Sequence, residues 1–198
     1  MRWLLAAVVV AGCGGAPIAP PAVADDPGYP AGPYGYSVND VLPDLSFEGK
    51  RVPIGQVASQ ATAEPISLGS LRGAGVRFVV VETAGAWCSD CAGDQPAMMQ
   101  LEADYAAKGV VGAEVLLEGA YDAPATIDNV DGWSRDHAVT GTLLLDAGRA
   151  FEHAAGIIGF PSYFIIDASS MTIVSRTIQP LVVQPLGPEL DALLARAP

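Results

Sequence analysis

Runs of branched apolar residues alternate along this chain with stretches whose apolar positions recur at helical spacing, the pattern of an α/β fold. The most continuous run, Val76-Arg77-Phe78-Val79-Val80-Val81, predicts a buried strand over residues 76–83, followed by a helix over 91–108. The alternation continues with a strand at 110–117, a helix at 125–137, a strand at 142–145 and a short helix at 149–155. Strands joined through helices argue for parallel pairing. Residues 162–167 and 171–176 flank Ala168-Ser169-Ser170 and read as a hairpin, and 185–197 as a closing helix. Before the main strand, 41–47 reads as a short edge strand with Pro43 tolerated only near its start, and 66–73 as a brief helical turn after an irregular stretch. The prediction is a central mixed sheet flanked by helices, over residues 41–198.

The first forty residues follow other rules. Residues 1–12 hold one early cation, Arg2, and the apolar run 3–11, the form of a signal peptide too short to span a bilayer comfortably. The run ends in Val10-Ala11-Gly12-Cys13, which resembles a bacterial lipobox, so that Cys13 would be the lipid-bearing mature N-terminus. Ordinary secretion with cleavage after Ala22-Val23-Ala24 is the alternative; that site lies far from the apolar run, across Pro17, Pro20 and Pro21. Either route exports the chain. Between Gly14 and Gly35 stand six prolines and five glycines with almost no branched apolar residues, and residues 13–40 are expected to be a disordered tether. Fully extended, 22 such positions reach roughly 70 Å.

The net charge of −12 becomes −13 when Arg2, the only charge of the first twelve residues, is removed. Nucleic acid and anionic membrane surfaces are poor partners for such a chain; simple solubility accounts for the acidity. No cysteine is left for a structural disulfide if Cys13 carries lipid and the other two pair with each other.

Those two lie in Trp87-Cys88-Ser89-Asp90-Cys91, between the buried strand and the long helix. Two thiols three positions apart at such a junction can pass between dithiol and disulfide. A structural disulfide or half of a zinc site are the other readings, and for zinc only His137 and His153 could complete the set. Both histidines fall in helical stretches and read as surface or packing residues.

With Trp87 before the first cysteine, Pro96 five residues after Cys91, and Gly159-Phe160-Pro161-Ser162 before a strand ending in Asp167, the chain resembles the thioredoxin superfamily. Within it, the resemblance is to the membrane-tethered bacterial branch typified by TlpA, ResA and the cytochrome c maturation thioredoxins. The resemblance implies an extracytoplasmic thiol-disulfide oxidoreductase. Cys88 would attack, favoured as an anion by the helix N-terminus, and Cys91 would resolve the mixed disulfide. Pro161 would be the cis-proline whose loop binds extended substrate, with Phe160 either core or groove lining. Glu82, six residues before Cys88, matches the buried acid of thioredoxin-like domains; in an apolar run its pKa should be raised, and it would take the proton of Cys91. Asp94, three after Cys91, is the competing acceptor. Asp90 should raise the pKa of Cys88, which favours a reductase or isomerase role. The implied partners are disulfide-containing envelope proteins, apocytochromes c among them, an upstream thiol reductant, and the membrane through the lipid. No nucleic acid, no metal and no cofactor beyond the disulfide is expected, and the chain is expected to be a monomer.

Thr83-Ala84-Gly85-Ala86 departs from the family, which usually has two large residues there, so the wall beside the cysteines is expected to be thinner. Two further readings stay open. A thiol peroxidase of the related redoxin and peroxiredoxin type would need a threonine three before the first cysteine, where Gly85 stands, and a nearby arginine. A Sco-like copper metallochaperone would need CxxxC rather than CxxC.

Overall fold

The computed structural model describes residues 23–24, 26–178 and 186–196. The expected signal peptide, Cys13 and the first part of the tether lie outside the described residues. Among these residues eight strands form one mixed sheet: β1 (Ser46–Arg51), β2 (Glu64–Ser67), β3 (Phe78–Gly85), β4 (Val110–Ala120), β5 (Ala123–Pro124), β6 (Thr142–Leu145), β7 (Ser162–Asp167) and β8 (Thr172–Ile178). Their order is β2-β1-β6-β4-β3-β7-β8, with β5 paired to β4. Parallel pairing is confined to β3 with β4 and β4 with β6; the other pairs are antiparallel. Every residue of β3 is buried, which is why its first half, Phe78 to Val81, reads as a continuous apolar run.

Among the described residues four α-helices pack on the sheet: α1 (Ser89–Ala106), α2 (Ile127–His137), α3 (Ala150–Ala155) and α4 (Leu186–Arg196). The side chains of β3 alternate between two clusters. Phe78 and Val80 meet Met98, Leu101 and Tyr105 of α1 and Leu186 and Leu190 of α4. Val79 and Val81 belong to the larger cluster with Leu42, Leu45, Leu68, Phe151 and Phe164. At its centre Phe151 lies 5.8 to 6.0 Å from the rings of Tyr36, Phe47 and Phe164.

Three expectations are corrected. The strand assigned to 41–47 begins at Ser46, and it is not an edge strand, because β2 and β6 pair with it on either side. The backbone before it is used differently: Leu42 donates to the carbonyl of Met171 at 2.8 Å, and Asp44 turns inward to accept from Gly69 N–H at 2.7 Å. The stretch before the helical turn holds β2, whose Pro65 is compatible with a strand at the sheet edge; of the helical turn itself only Gly69–Leu71 remains, as a 3-10 turn. Residues 26–40, the second half of the expected tether, lie against the domain. Tyr29 donates to the Leu42 carbonyl at 2.7 Å and carries the Arg72 guanidinium over its ring, while Tyr36 packs on Phe151. The proline and glycine count hid tyrosines able to bury ring surface.

Candidate active site at Cys88 and Cys91

β3 ends at Gly85, and the chain enters α1 three residues later with Cys88 as its N-cap, in extended backbone at φ −79°, ψ 108°. The Cys88 sulfur accepts from the backbone N–H of Cys91 at 3.1 Å, so it occupies the place where a capping oxygen commonly sits. The two cysteines are joined as a disulfide with 5.3 Å between Cα atoms. Cys88 keeps 6% of its surface exposed and Cys91 none, which leaves Cys88 as the sulfur a substrate can reach. Pro96 lies inside α1, where it gives no N–H to the carbonyl of Ala92.

The Phe160–Pro161 peptide is cis. Its loop is tied to the sheet by Ser162 Oγ donating to the Gly159 carbonyl at 2.7 Å and Thr83 Oγ1 donating to the Ser162 carbonyl at 3.3 Å. Phe160 is buried, and its ring meets that of Trp87 edge-on at 6.0 Å. The small residues 83–86 do not leave the wall open. A side-chain carbon on Gly85 would come within 3.0 Å of Trp87 Nε1, so glycine admits the indole, which folds back over the end of β3.

A groove of about 730 Å³ opens beside Cys88, lined among others by Trp87, Asp90, Tyr121, Arg149 and Ile158. Tyr121 and Ile158 are 79% and 88% exposed, an apolar rim fit for a peptide. Beneath it lies a charge cluster that sequence reasoning missed. Trp87 Nε1 donates to Glu118 Oε2 at 2.7 Å; Arg149 donates to Glu118 at 2.8 Å and to both oxygens of Glu152 at 2.6 and 2.8 Å, and pairs with Asp122. Hydrogen bonding to Glu152, then to Asp122, raises the Arg149 pKa further. Its members come from the β3–α1 junction, β4, the following loop and the start of α3; Arg149 and Glu152 are three apart, but no local signal joins them to Glu118, Asp122 or Trp87. With Asp90, exposed in the first turn of α1, the groove holds four carboxylates against this one guanidinium.

On the inner side, Glu82 is 1% exposed and lies between Tyr163 of β7 and Glu114 of β4, its register partners on the two neighbouring strands. Burial first, then the like charge of Glu114, holds its pKa well above the ordinary carboxylate range. Tyr163, the register partner of Glu82, donates to Asp94 Oδ2 at 3.2 Å, so its side chain reaches from one to the other of the two acids named from the sequence. Asp94 is only half-buried; its pKa is raised by burial, against the lowering effect of the Tyr163 bond. Glu114 is pushed up to about 8 by burial, while its Oε1 accepts from Trp133 Nε1 at 2.8 Å and from Gln95 Nε2 at 2.9 Å. Glu102, on α1, is pushed up to about 7 by burial. The His137 ring lies against that of Trp133, tilted by 58° with centroids 4.2 Å apart, and His153 stands exposed at the groove.

A capped, accessible sulfur joined to a buried one beside a cis-proline loop is the arrangement of a thioredoxin-like thiol-disulfide oxidoreductase. Similar solved structures share the fold. A protein described as thiol:disulfide interchange protein DsbE from Chlorobium tepidum is 21% identical, with a TM-score of 0.64 over 81% of this chain and 99% of that one. A thiol:disulfide interchange protein from Bacteroides sp. gives 16% identity and 0.57 over 83% and 92%. A secreted Mycobacterium tuberculosis disulfide oxidoreductase homologous to E. coli DsbE gives 15% and 0.54 over 74% and 95%. No curated protein matches the chain. The Redoxin family model matches residues 38–184, and the chain belongs to the redoxin family of the thioredoxin superfamily.

Proposed function

We propose that this chain is an extracytoplasmic thiol-disulfide oxidoreductase that reduces disulfides in envelope proteins, apocytochromes c among the candidate clients. The observation that carries the reading is the asymmetry of the pair: Cys88 caps α1 at the edge of the groove, and Cys91 is sealed beneath it. In the dithiol form, the Cys88 thiolate attacks a substrate disulfide, one substrate sulfur leaves as thiolate, and a mixed disulfide forms. Cys91 then gives up its proton toward Glu82 and attacks Cys88. The Cys88–Cys91 bond forms and the second substrate sulfur leaves. An upstream dithiol protein restores the reduced state by the same exchange in reverse. The loop of Pro161 offers backbone to an extended substrate across the groove.

The direction rests on charge. Four carboxylates against one guanidinium around Cys88 disfavour its thiolate, and a disfavoured thiolate stabilises the disulfide of this protein, making the pair a better reductant. The peroxidase reading gains an arginine in the groove, but each donor nitrogen of Arg149 is already engaged by a carboxylate. Among the described residues no helix is long and apolar enough to cross a membrane. Attachment through a lipid on Cys13 remains part of the proposal, carried by the lipobox resemblance of residues 10–13.

The test is trapping in an envelope preparation. Cys91→Ser should accumulate mixed disulfides on Cys88 that reductant releases, and Cys88→Ser should accumulate none. A Cys91→Ser chain that stays free of partners would overturn the reading.

A further inference from the structure

Removing the proton from a fully buried Cys91 requires a route to water, and α1, the helix that carries Cys91, covers a buried acidic cluster apart from the groove of Cys88. Three glutamates, Glu82, Glu114 and Glu102, each hold one buried carboxylate oxygen without a protein hydrogen-bond partner. All three, with Gln95 one helical turn beyond Cys91, line a single small space of about 10 Å³, room for at most one water. Glu82 and Glu114 are register partners on parallel strands, so they share one face of the sheet. Glu102 comes down from α1 onto Gly112, two residues before Glu114 on that face. A side chain at Gly112 would occupy the position of its carboxylate, and one at Gly141 would come within 3.1 Å of Oε2. Glu102 also lines a second cavity, of about 260 Å³ and open to solvent, with Arg51, Ile54, Gly112 and Gly141. That cavity shares no residue with the groove at Cys88.

We propose that Glu82, Glu114 and Glu102 form a proton path that joins Cys91 to solvent through the opening beside Arg51 and Gly141. The proposal rests on the oxidoreductase reading above and adds the route its proton takes. During resolution Cys91 gives its proton to Glu82, Glu82 passes one on to Glu114, Glu114 passes one to Glu102, and Glu102 releases one to water. The electron pair left on the Cys91 sulfur makes the bond to Cys88. The bond from Cys88 to the substrate sulfur breaks, and that sulfur departs as thiolate. When a donor dithiol reduces the pair, the same path returns a proton to Cys91. Glu102 touches no substrate; it acts through Glu114 and Glu82. The charged and titratable groups around the path are Arg51 at its mouth, Asp94 and Tyr163 beside Glu82, and His137 behind Trp133. Burial holds all three glutamates above the ordinary range, so protons are retained on the path near neutrality.

The experiment uses the reduced full chain and an aromatic disulfide whose released thiolate absorbs light. One thiolate leaves on attack by Cys88 and the second on resolution by Cys91, giving two phases. In Glu102→Gln the second phase should slow roughly tenfold, less than the hundredfold of a lost general base, because Tyr163 and Asp94 still link Glu82 to solvent. Its dependence on a group titrating at about 7 should vanish. A second phase with unchanged rate and pH profile overturns the path while leaving the oxidoreductase reading intact. A wild-type chain with no first phase overturns that reading and the path with it. Infrared difference spectra of the unmutated chain, oxidised minus reduced, supply a check that needs no variant to fold. A protonated carboxyl band should change with the redox state and titrate at about 7; no carboxyl change overturns the path.

Discussion

A glutamate kept from water by its own fold should make the protein less stable as the pH rises, and Glu102 permits the size of that effect to be worked out. Its pKa is about 7 in the folded chain against 4.5 in its ordinary state. The folded state therefore binds the proton more tightly, and stability is unaffected below the ordinary value and falls through the window from 4.5 to 7. Each unit of difference corresponds to about 1.4 kcal/mol, so the cost is about 1.4 kcal/mol near pH 5.5 and about 3 kcal/mol near pH 7, and levels off above that. Glu102→Gln keeps the shape and removes the ionisation. The variant should equal the wild type in acid and exceed its stability by up to about 3 kcal/mol at pH 8. The gain is trimmed by whatever hydrogen bonding the carboxylate makes with water in the cavity beside Arg51. Urea unfolding at half-unit steps from pH 4 to 9, under oxidising conditions so that the disulfide stays closed, measures the difference. Curves that run parallel across that range would show that Glu102 ionises freely, and would remove the physical basis for placing it on a proton path.

Two other outcomes follow from the groove. Arg149→Met strands Glu118 and Glu152, whose side chains are each 6% exposed, and breaking such buried pairing costs roughly 3 to 5 kcal/mol. For a chain of this size the melting temperature should fall by roughly 6 to 20 °C; a loss below about 1 kcal/mol would mean that the cluster is as weakly coupled as a surface pair. Asp90→Asn removes one of the four carboxylates facing Cys88. At an attraction or repulsion of about 1 kcal/mol, the Cys88–Cys91 couple should become more oxidising by roughly 20 mV, measured by equilibration against a thiol buffer. An unchanged or more reducing couple would show that groove charge does not set the direction of exchange.

What the sequence disclosed and what it hid differ by range. The helices and the strands β3, β4, β6, β7 and β8 were readable because each carries its own period or run, and Cys88, Cys91 and Pro161 because their spacing is a local signature. Glu82 stood out as an acid inside Val79-Val80-Val81, and the structure places it at the centre of the buried cluster. Glu114 carried the same signal, an acid between Ala113 and Val115, and went unread because its meaning depends on register with Glu82 across a parallel pair separated by a helix. Glu102 had no local signal at all. Its only trace in the sequence is Gly112, a glycine within a strand run, which marks a close approach by another group. The Arg149 cluster was hidden for the same reason: Arg149 and Glu152 are three apart in sequence, but Glu118 and Asp122 join them only once β4 and α3 meet. β2 was missed because Glu64-Pro65 looks like a loop, although an edge strand tolerates proline.

The two acidic sets around the disulfide act on different sulfurs and in different protonation states. In the groove, Asp90 and the carboxylates held by Arg149 meet solvent or a cation, so they present charge to Cys88 and bear on how readily it exists as thiolate. Between α1 and the sheet, Glu82, Glu114 and Glu102 are buried and, among the described residues, in no salt bridge, so they hold protons on the side of the sheet that α1 and Cys91 occupy. An exchange that moves electrons through Cys88 must move a proton at Cys91 to remain balanced, and a site with both sets can tune the two separately. Groove substitutions should shift the potential across the pH range with little change in the pH profile of resolution, and substitutions on the path should alter chiefly the pH dependence of resolution and of the potential. A single charged cavity reaching both sulfurs could not separate them, because each change would move both quantities together.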